Sequence, residues 1–399
     1  MERVDFAVIG GGMAGATAAY ELAAHGSVAL LERETQTGYH ASGRSAAIFI
    51  EGYGAPVWRA LNGASRAFFD APPEDHWPDP LLAARGVLEV GTAEDADAVR
   101  AEYERIAARG IDIEWVDADG IAERAPSLRA DTYVCGYFEP GASDIDVDRV
   151  LQGFIRGARA RGCMIITGAT VTRINHDGAW RIDTPGGTVI AGAVVNAAGA
   201  WADELAASSG LARRGLQPKR RTAIAFTPTP PTATPQNGAG TSGSGPDDAH
   251  APVALDDMDD WCMVGDWRET FYYRPLARGQ LMASLADETD TPPCDAQPEE
   301  LDVATLVDTL QRRTRLDIRR PDSAWAGLRT FAPDRNPVIG PDPDDETFLW
   351  LAGQGGTGIV GAPAAARLLA ALATGASLPS DLTDIELSAI TPARLDPLP

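Results

Sequence analysis

The stretch Phe6-Ala7-Val8-Ile9-Gly10-Gly11-Gly12-Met13-Ala14-Gly15 decides the fold. Its four leading apolar residues suit a strand buried on both faces, and Gly10 lets the chain turn sharply out of it. Gly12 has no Cβ, so backbone can approach a pyrophosphate, and Gly15 lets a following helix pack close on the strand. Ala14 to His25 is rich in Ala, Leu and Glu, which predicts a helix capped at Gly26. Phosphates would sit at the positive N-terminal end of that helix. Val28-Ala29-Leu30-Leu31 then predicts a second buried strand. Glu32 follows it, 17 residues after Gly15, where a carboxylate accepts hydrogen bonds from both ribose hydroxyls and disfavours a 2'-phosphate. Strand, glycines, helix, strand and acid in this order predict a site for FAD or NAD rather than NADP.

A chain of 399 residues predicts two domains, and 44% hydrophobic content predicts a globular protein. Acidic residues outnumber basic ones by 57 to 34, a formal charge of -23, which argues against nucleic acid and anionic membrane as partners. Lys219 is the only lysine; an arginine-based, acidic surface fits either a high-salt cytoplasm or a GC-rich genome. Cys135, Cys163, Cys262 and Cys294 form no CxxC pair, and the five histidines are dispersed, so neither a disulfide framework nor a metal site is expected. The sequence enters its first strand without a recognisable leader, and the apolar segment Leu349 to Ala376 is broken by Gly353, Gly355, Gly356, Gly358, Gly361, Pro363 and Arg367. The expectation is a cytoplasmic protein with no membrane insertion.

Two further strand, glycine turn and helix units follow. One is Val189 to Asn196 with Ala197-Ala198-Gly199-Ala200-Trp201; the other is Phe348 to Ala352 with Gly355-Gly356-Thr357-Gly358-Ile359 and a helix around Ala364 to Ala373. Units scattered along the chain predict a Rossmann-type α/β cofactor domain built from discontinuous segments, 1–55, 140–221 and 323–399. Residues 56–139 and 222–322 are then an α+β substrate domain with an antiparallel sheet. The first insertion carries a helical region from Ala93 to Arg109, and the second carries strands near Ala223 to Phe226 and Thr270 to Tyr273. Residues 227–252, dense in Pro, Thr, Gly, Ser and Asp, read as a surface loop or a lid.

From Gly38 the chain reads Gly38-Tyr39-His40-Ala41-Ser42-Gly43-Arg44-Ser45-Ala46-Ala47. With the units above, Pro218-Lys219-Arg220-Arg221, Phe271-Tyr272 and Trp325-Ala326-Gly327-Leu328-Arg329, this run resembles the D-amino-acid oxidase superfamily of flavoproteins over nearly the whole chain. Within it the nearest resemblance is to the bacterial D-arginine dehydrogenases. The resemblance implies non-covalent FAD bound by Gly10, Gly12, Gly15, Glu32, Arg33, Ser45, Ala46, Val171, Gly199, Gly355, Gly356, Thr357, Gly358 and Ile359. It assigns the substrate carboxylate to Arg329 and to Arg221, with Arg220 as the rival, and a guanidinium fork suits that task because it binds a carboxylate through paired hydrogen bonds. Tyr53 and Tyr272 match pocket tyrosines, and Ile48, Ile50 and Val87 match positions that face the side chain.

Two departures bear on the substrate. Those relatives have a histidine where this chain has Ile48, and a glutamate where it has Val87, so a neutral or apolar side chain is expected. The implied reaction passes the Cα hydrogen of a D-amino acid as hydride to flavin N5, giving an imino acid that water hydrolyses to a 2-oxo acid and ammonia. No lysine other than Lys219 is available to promote reaction with oxygen, which favours an acceptor such as a quinone. Two alternatives stand: a glycine or sarcosine type of secondary-amine oxidase, and the flavin subunit of a multi-subunit amine dehydrogenase. A monomer is the default.

Overall fold

The computed structural model describes residues 2–229, 255 and 258–398. Apart from its first three residues, the 227–252 segment expected as a loop or lid lies outside the described residues. Among the described residues the strands form three sheets. The first contains β1 (Glu2–Ile9), β2 (Val28–Leu31), β9 (Met164–Ile166), β10 (Arg173–His176), β11 (Trp180–Thr184), β12 (Gly187–Asn196), β19 (Val338–Pro341) and β20 (Phe348–Ala352). Its centre is parallel, in the order β9, β2, β1, β12, β20. The C-terminal ends of β1, β12 and β20, from which the three glycine-rich turns leave, are therefore neighbours.

All four residues of β2 are buried, as a strand covered on both faces requires. On one side pack α1 (Met13–Leu22), α5 (Val147–Ala160) and α8 (Ala362–Thr374), joined by small side chains: Ala16, Ala18, Ala19, Ala364, Ala365 and Ala366 are fully buried. α8 begins with Pro363 in its first turn and stops at Gly375, whose φ of 69° makes a left-handed cap. α1 ends at Leu22, three residues before the expected end, and Gly26 is not its cap. The Gly26 position is small for another reason, since a Cβ there would stand 2.8 Å from Asp5 Oδ2.

The second sheet runs β17 (Thr289–Asp290), β13 (Gln217–Phe226), β16 (Leu281–Ser284), β15 (Tyr272–Pro275), β14 (Met263–Asp266), β5 (Val87–Gly91), β7 (Cys135–Glu139), β6 (Glu114–Asp117), with β18 (Ser323–Phe331) also on β13. Strand alternation gives it two unlike faces. Leu88, Val264, Tyr273, Ile224 and Leu281 face a core completed by Leu306 and Leu310 of α7 (Glu300–Arg313), with α4 (Ala118–Arg124) beside them. Val87, Met263, Tyr272, Ala223 and Met282 face the other way, toward the first sheet. A three-stranded sheet of β3 (Ile48–Phe49), β4 (Leu82–Ala84) and β8 (Ser143–Ile145) joins the two layers. Arg274, 9% exposed, fastens it, donating from Nε to the Ala46 carbonyl at 2.7 Å and from Nη1 to Asp144 at 3.0 Å. The remaining helices, α2 (Pro56–Asp70), α3 (Ala96–Ala107) and α6 (Ala202–Ser208), lie outside these sheets. Among the described residues no helix is long and apolar enough to cross a membrane.

Candidate active site

The first glycine turn is a cradle defined by close contacts. Gly10 has φ 109°, and a Cβ there would lie 2.3 Å from the Ala197 carbonyl oxygen at the end of β12. On Gly15 it would lie 1.8 Å from the Gly10 oxygen, and on Gly11 it would lie 2.8 Å from Glu32 Oε2. The backbone of all three is thus held against its neighbours, and only glycine fits. Gly12 precedes α1 with no side-chain cap, and Gly12, Met13 and Ala14 open on a cleft of about 470 Å³. Their orientation turns the positive end of the helix toward that cleft. Glu32, 7% exposed, lies at the end of β2 and accepts from the Gly11 N–H at 2.7 Å and the Glu34 N–H at 2.8 Å. Two backbone donors thereby fix both carboxylate oxygens at the cleft wall.

Of the residues singled out from sequence, Gly10, Gly12, Glu32, Arg33, Ser45, Val171, Gly199, Gly355, Gly356, Gly358, Ile359, Arg221, Tyr272 and Arg329 line this one cleft. Others stand behind it. Gly15 supports the turn, the Ala46 carbonyl receives Arg274, and Thr357, 5% exposed, hydrogen-bonds the Gln354 carbonyl. Ile48, Ile50 and Val87 gather with Tyr272 and Met282 in one apolar cluster. Tyr53 is 39% exposed, and its phenol is within electrostatic reach of both Arg329 and Arg221. Contributors not singled out include Gly11, Ser42, whose Oγ accepts from the Met13 N–H at 2.9 Å, and Trp201, over whose ring the Arg33 guanidinium carbon stands at 4.2 Å.

The second sheet presents a pair of arginines to the cleft. In the antiparallel register of β13 and β18, Arg221 faces Gly327 and Arg329 faces Lys219, so both guanidinium groups lie on the cleft side. Arg220 points the opposite way and is held by Glu299 and by Asp302 at 3.0 Å, which raises its pKa against the effect of burial. Arg221 is 7% exposed; its pKa is lowered by burial and by the neighbouring Arg329. Its nearest carboxylate, Glu288, is 3.5 Å away and is held bidentately by Arg335, and Arg221 Nε has no hydrogen-bond partner. Arg329 meets only the Tyr272 hydroxyl, at 3.5 Å, and no carboxylate pairs with it among the described residues. Lys219, by contrast, is paired with Asp290 at 2.6 Å. Two like charges left side by side with little compensation are arranged for an anion.

Further along the same sheet face lies Glu89, a residue that sequence reasoning missed. Its carboxyl is pushed up to about 8, by burial first and then by Glu269, Asp266 and Glu139. Glu139, 3% exposed, is pushed up to about 7 by burial, although it accepts from the Glu51 N–H at 2.8 Å and the Gly52 N–H at 3.3 Å. Those bonds hold the segment that carries Tyr53. Among the described residues no group of three or more His, Cys, Asp or Glu is placed to hold a metal ion, and the four cysteines are free thiols.

A parallel-centred sheet with a glycine cradle, a fixed acid at the second strand and a second sheet closing over the cleft, antiparallel except where β14 runs parallel to β5, define a dinucleotide-dependent redox fold. The chain belongs to the FAD dependent oxidoreductase family, whose pattern matches residues 5–372, and FAD is its cofactor. It is 25% identical to glycine oxidase of Geobacillus kaustophilus (strain HTA426) over 97% of each chain. It is 24% identical to the mitochondrial dimethylglycine dehydrogenase of Mus musculus over 96% of this chain. The chain spans between a quarter and a half of the length of the dimethylglycine and L-2-hydroxyglutarate dehydrogenases it matches. Among solved structures, the G. kaustophilus glycine oxidase superposes with a TM-score of 0.78 at 22% identity, covering 97% of this chain and 99% of that one. The L-proline dehydrogenase of P. horikoshii superposes with 0.80 at 19% identity, covering 98% of each.

Proposed function

We propose that this flavoprotein oxidises the Cα–N bond of an amino acid whose carboxylate is bound between Arg329 and Arg221. The observation that carries the reading is the under-compensated arginine pair at the sheet face of the cleft. A bound carboxylate would offset both charges, and two forks would fix its plane, so that the Cα–H is presented in a single orientation. The Tyr272 hydroxyl steadies the Arg329 guanidinium. FAD, when bound, supplies the two-electron acceptor. The glycine cradle, the open end of α1 and the carboxylate of Glu32 would hold its diphosphate and ribose. The substrate amine must be unprotonated at the moment of oxidation; water then hydrolyses the imine product to a 2-oxo acid and ammonia, or to a 2-oxo acid and the free amine where the nitrogen is substituted.

The first choice of substrate is a primary D-amino acid, on the resemblance of the Gly38 to Ala47 run and the Arg221 and Arg329 motifs. A second reading, a glycine or secondary-amine oxidase, is supported equally by the likeness to glycine oxidase along the whole chain. The commitment of Lys219 to Asp290 supports a non-oxygen acceptor such as a quinone. One anaerobic experiment tests these readings: a panel of D-, L- and N-methyl amino acids is added to the holoenzyme and the flavin band is followed. Bleaching by D-enantiomers supports the first reading and by N-methyl compounds the second. Bleaching by none of them contradicts both, and strong peroxide formation in air contradicts the choice of acceptor.

A further inference from the structure

The arginine pair has a neighbour that could fill it and does not. Among the described residues the only ion pair of Arg221 is with Glu288, and at 3.5 Å it is too long for a good hydrogen bond. Glu288 is turned instead to Arg335, which donates from Nη2 to Oε1 at 2.7 Å and from Nη1 to Oε2 at 2.9 Å. Those bonds hold the Glu288 carboxyl below its usual range, so it carries its charge at neutral pH. Asp287, the adjacent acid that Arg221 also feels, is committed elsewhere, accepting from the Thr222 N–H at 2.8 Å. One oxygen, Glu288 Oε1, therefore stands between two guanidinium groups, the buried Arg221 and the exposed Arg335. Without Arg335, a movement of under ~1 Å would bring it to hydrogen-bond distance from Arg221.

Arg335 is placed by a turn that is pinned on several sides. Its φ of 64° is one that non-glycine residues seldom adopt, and such strain persists only where the surroundings over-determine it. The Arg335 N–H donates to the Ala332 carbonyl at 2.9 Å, and its own carbonyl accepts from Trp58 Nε1 at 3.4 Å. On either side of it, Arg394 holds the Asp334 carboxylate at 2.7 and 3.0 Å and the Asn336 carbonyl at 3.0 Å. The guanidinium carbon lies 4.0 Å from the centre of the Phe331 ring, which itself packs against Gly355 of the third glycine turn. Tyr53 is within electrostatic reach of Arg335 as well as of Arg329 and Arg221, so the turn stands beside the arginine pair. We propose that Arg335 is a positioning residue that holds Glu288 off Arg221 and so keeps the arginine pair open for the substrate carboxylate. The proposal rests on the amino-acid reading above and adds an internal competitor to it. A carboxylate tethered this close has an effective concentration on the order of millimolar, enough to rival a free substrate.

The test is a double-mutant cycle on the holoenzyme with Arg335→Gly, Glu288→Gln and the two changes together. Glycine suits φ 64°, so the turn keeps its shape without the side chain, and flavin content reports whether the fold is intact. Should the glycine variant shed its flavin, Arg335→Met, which keeps an apolar stem over Phe331, takes its place in the cycle. Two quantities are read: KM and kcat for the most reactive amino acid, and the Kd of propionate, a carboxylate without an α-amine, from its concentration-dependent Tm shift. Arg335→Gly should raise KM and the propionate Kd at least ~10-fold with kcat within about 3-fold of wild type, because the anchor is occupied rather than lost. Glu288→Gln alone should change either by less than about 3-fold, yet in the Arg335→Gly background it should return both to near the wild-type values. That non-additivity separates a guard from two charges acting at a distance, whose effects would add. An unchanged KM in Arg335→Gly, or the same effect of Glu288→Gln in both backgrounds, would overturn the proposal. If no amino acid bleaches the flavin but the propionate Kd shows the coupling, the amino-acid reading falls and the guard stands. If amino acids bleach it and the four proteins share one KM and one propionate Kd, the reading stands and the guard falls. If neither signal is seen, both fall.

Discussion

The two ends of the cleft are built by opposite means. At the dinucleotide end almost everything is backbone and close contact: Gly10, Gly11 and Gly15 leave no room for a Cβ, and the one charged group, Glu32, is held by two N–H donors. At the arginine end the backbone is regular β-sheet and the content is charge: Arg221 and Arg329 lie together without adequate counter-charge, and Glu89 lies beyond them among other acids. The first arrangement is complete before a ligand arrives, whereas the second stores repulsion that a ligand of the right charge pattern relieves. Substitutions at the two ends should therefore fail differently, the first in folding and cofactor retention, the second in turnover.

The largest effect is expected from Gly15→Ala. Its methyl would overlap the Gly10 carbonyl, and the purified protein should retain less than roughly a tenth of the wild-type flavin absorbance, because helix and strand must separate to admit it. Full flavin content in that variant would show that the cradle tolerates slack. Next comes Arg329→Ala, which leaves the cradle untouched. Flavin content should be unchanged while kcat/KM falls by about a thousandfold, the scale of losing a charged, desolvated anchor. Loss of flavin together with activity would blur the division between the two ends.

A pH experiment probes the stored repulsion itself. The raised carboxyl of Glu139 means that the folded protein holds a proton there more tightly than the unfolded chain does. Its stabilisation is thus present below about pH 4.5 and is lost as pH rises through about 7. Glu139 alone should lower the unfolding free energy by about 3 kcal/mol across that window, and Glu139→Gln should remove that share, leaving the part of the slope that the likewise raised Glu89 carries. A Tm that is level from pH 5 to 7 in the wild type would contradict the burial of an uncompensated acid. The smallest effect is assigned to Arg220→Ala. Paired with Glu299 and Asp302 on the far face of β13, Arg220 should matter for stability by about 1 kcal/mol and change kcat/KM less than about threefold. A hundredfold loss would move the carboxylate anchor to Arg220.

The same division explains what could be read from the amino-acid sequence. Steric demands leave a mark on residue type, so Gly10, Gly12 and Gly15, the two buried strands around them and the distant turn at Gly355 to Ile359 were legible and meet in one cleft. Charge placement leaves no such mark. Arg220 and Arg221 are adjacent and identical in type, and only the register of β13 against β18 sends one to Asp302 and the other to the cleft. Tyr272 and Tyr273 divide in the same way between the cleft and the far core. Glu89 could not be read at all, since its position over Gly265 and beside Tyr272 comes from strands far apart in sequence. The early stop of α1 at Leu22 is a milder case: Ala24, His25 and Gly26 donate to Glu21 and Leu22 carbonyls in a turn, and Gly26 is small because it packs against Asp5.

The most direct test of the central claim compares an amino acid with its decarboxylated amine. Under anaerobic conditions the holoenzyme is mixed with the most reactive amino acid of the panel and, separately, with the amine of the same side chain. If Arg329 and Arg221 bind the substrate through its carboxylate, the amino acid bleaches the flavin and the amine does so at least about a hundredfold more slowly, a gap that closes in Arg329→Ala. Equal bleaching rates for the two compounds in the wild-type enzyme would contradict the account.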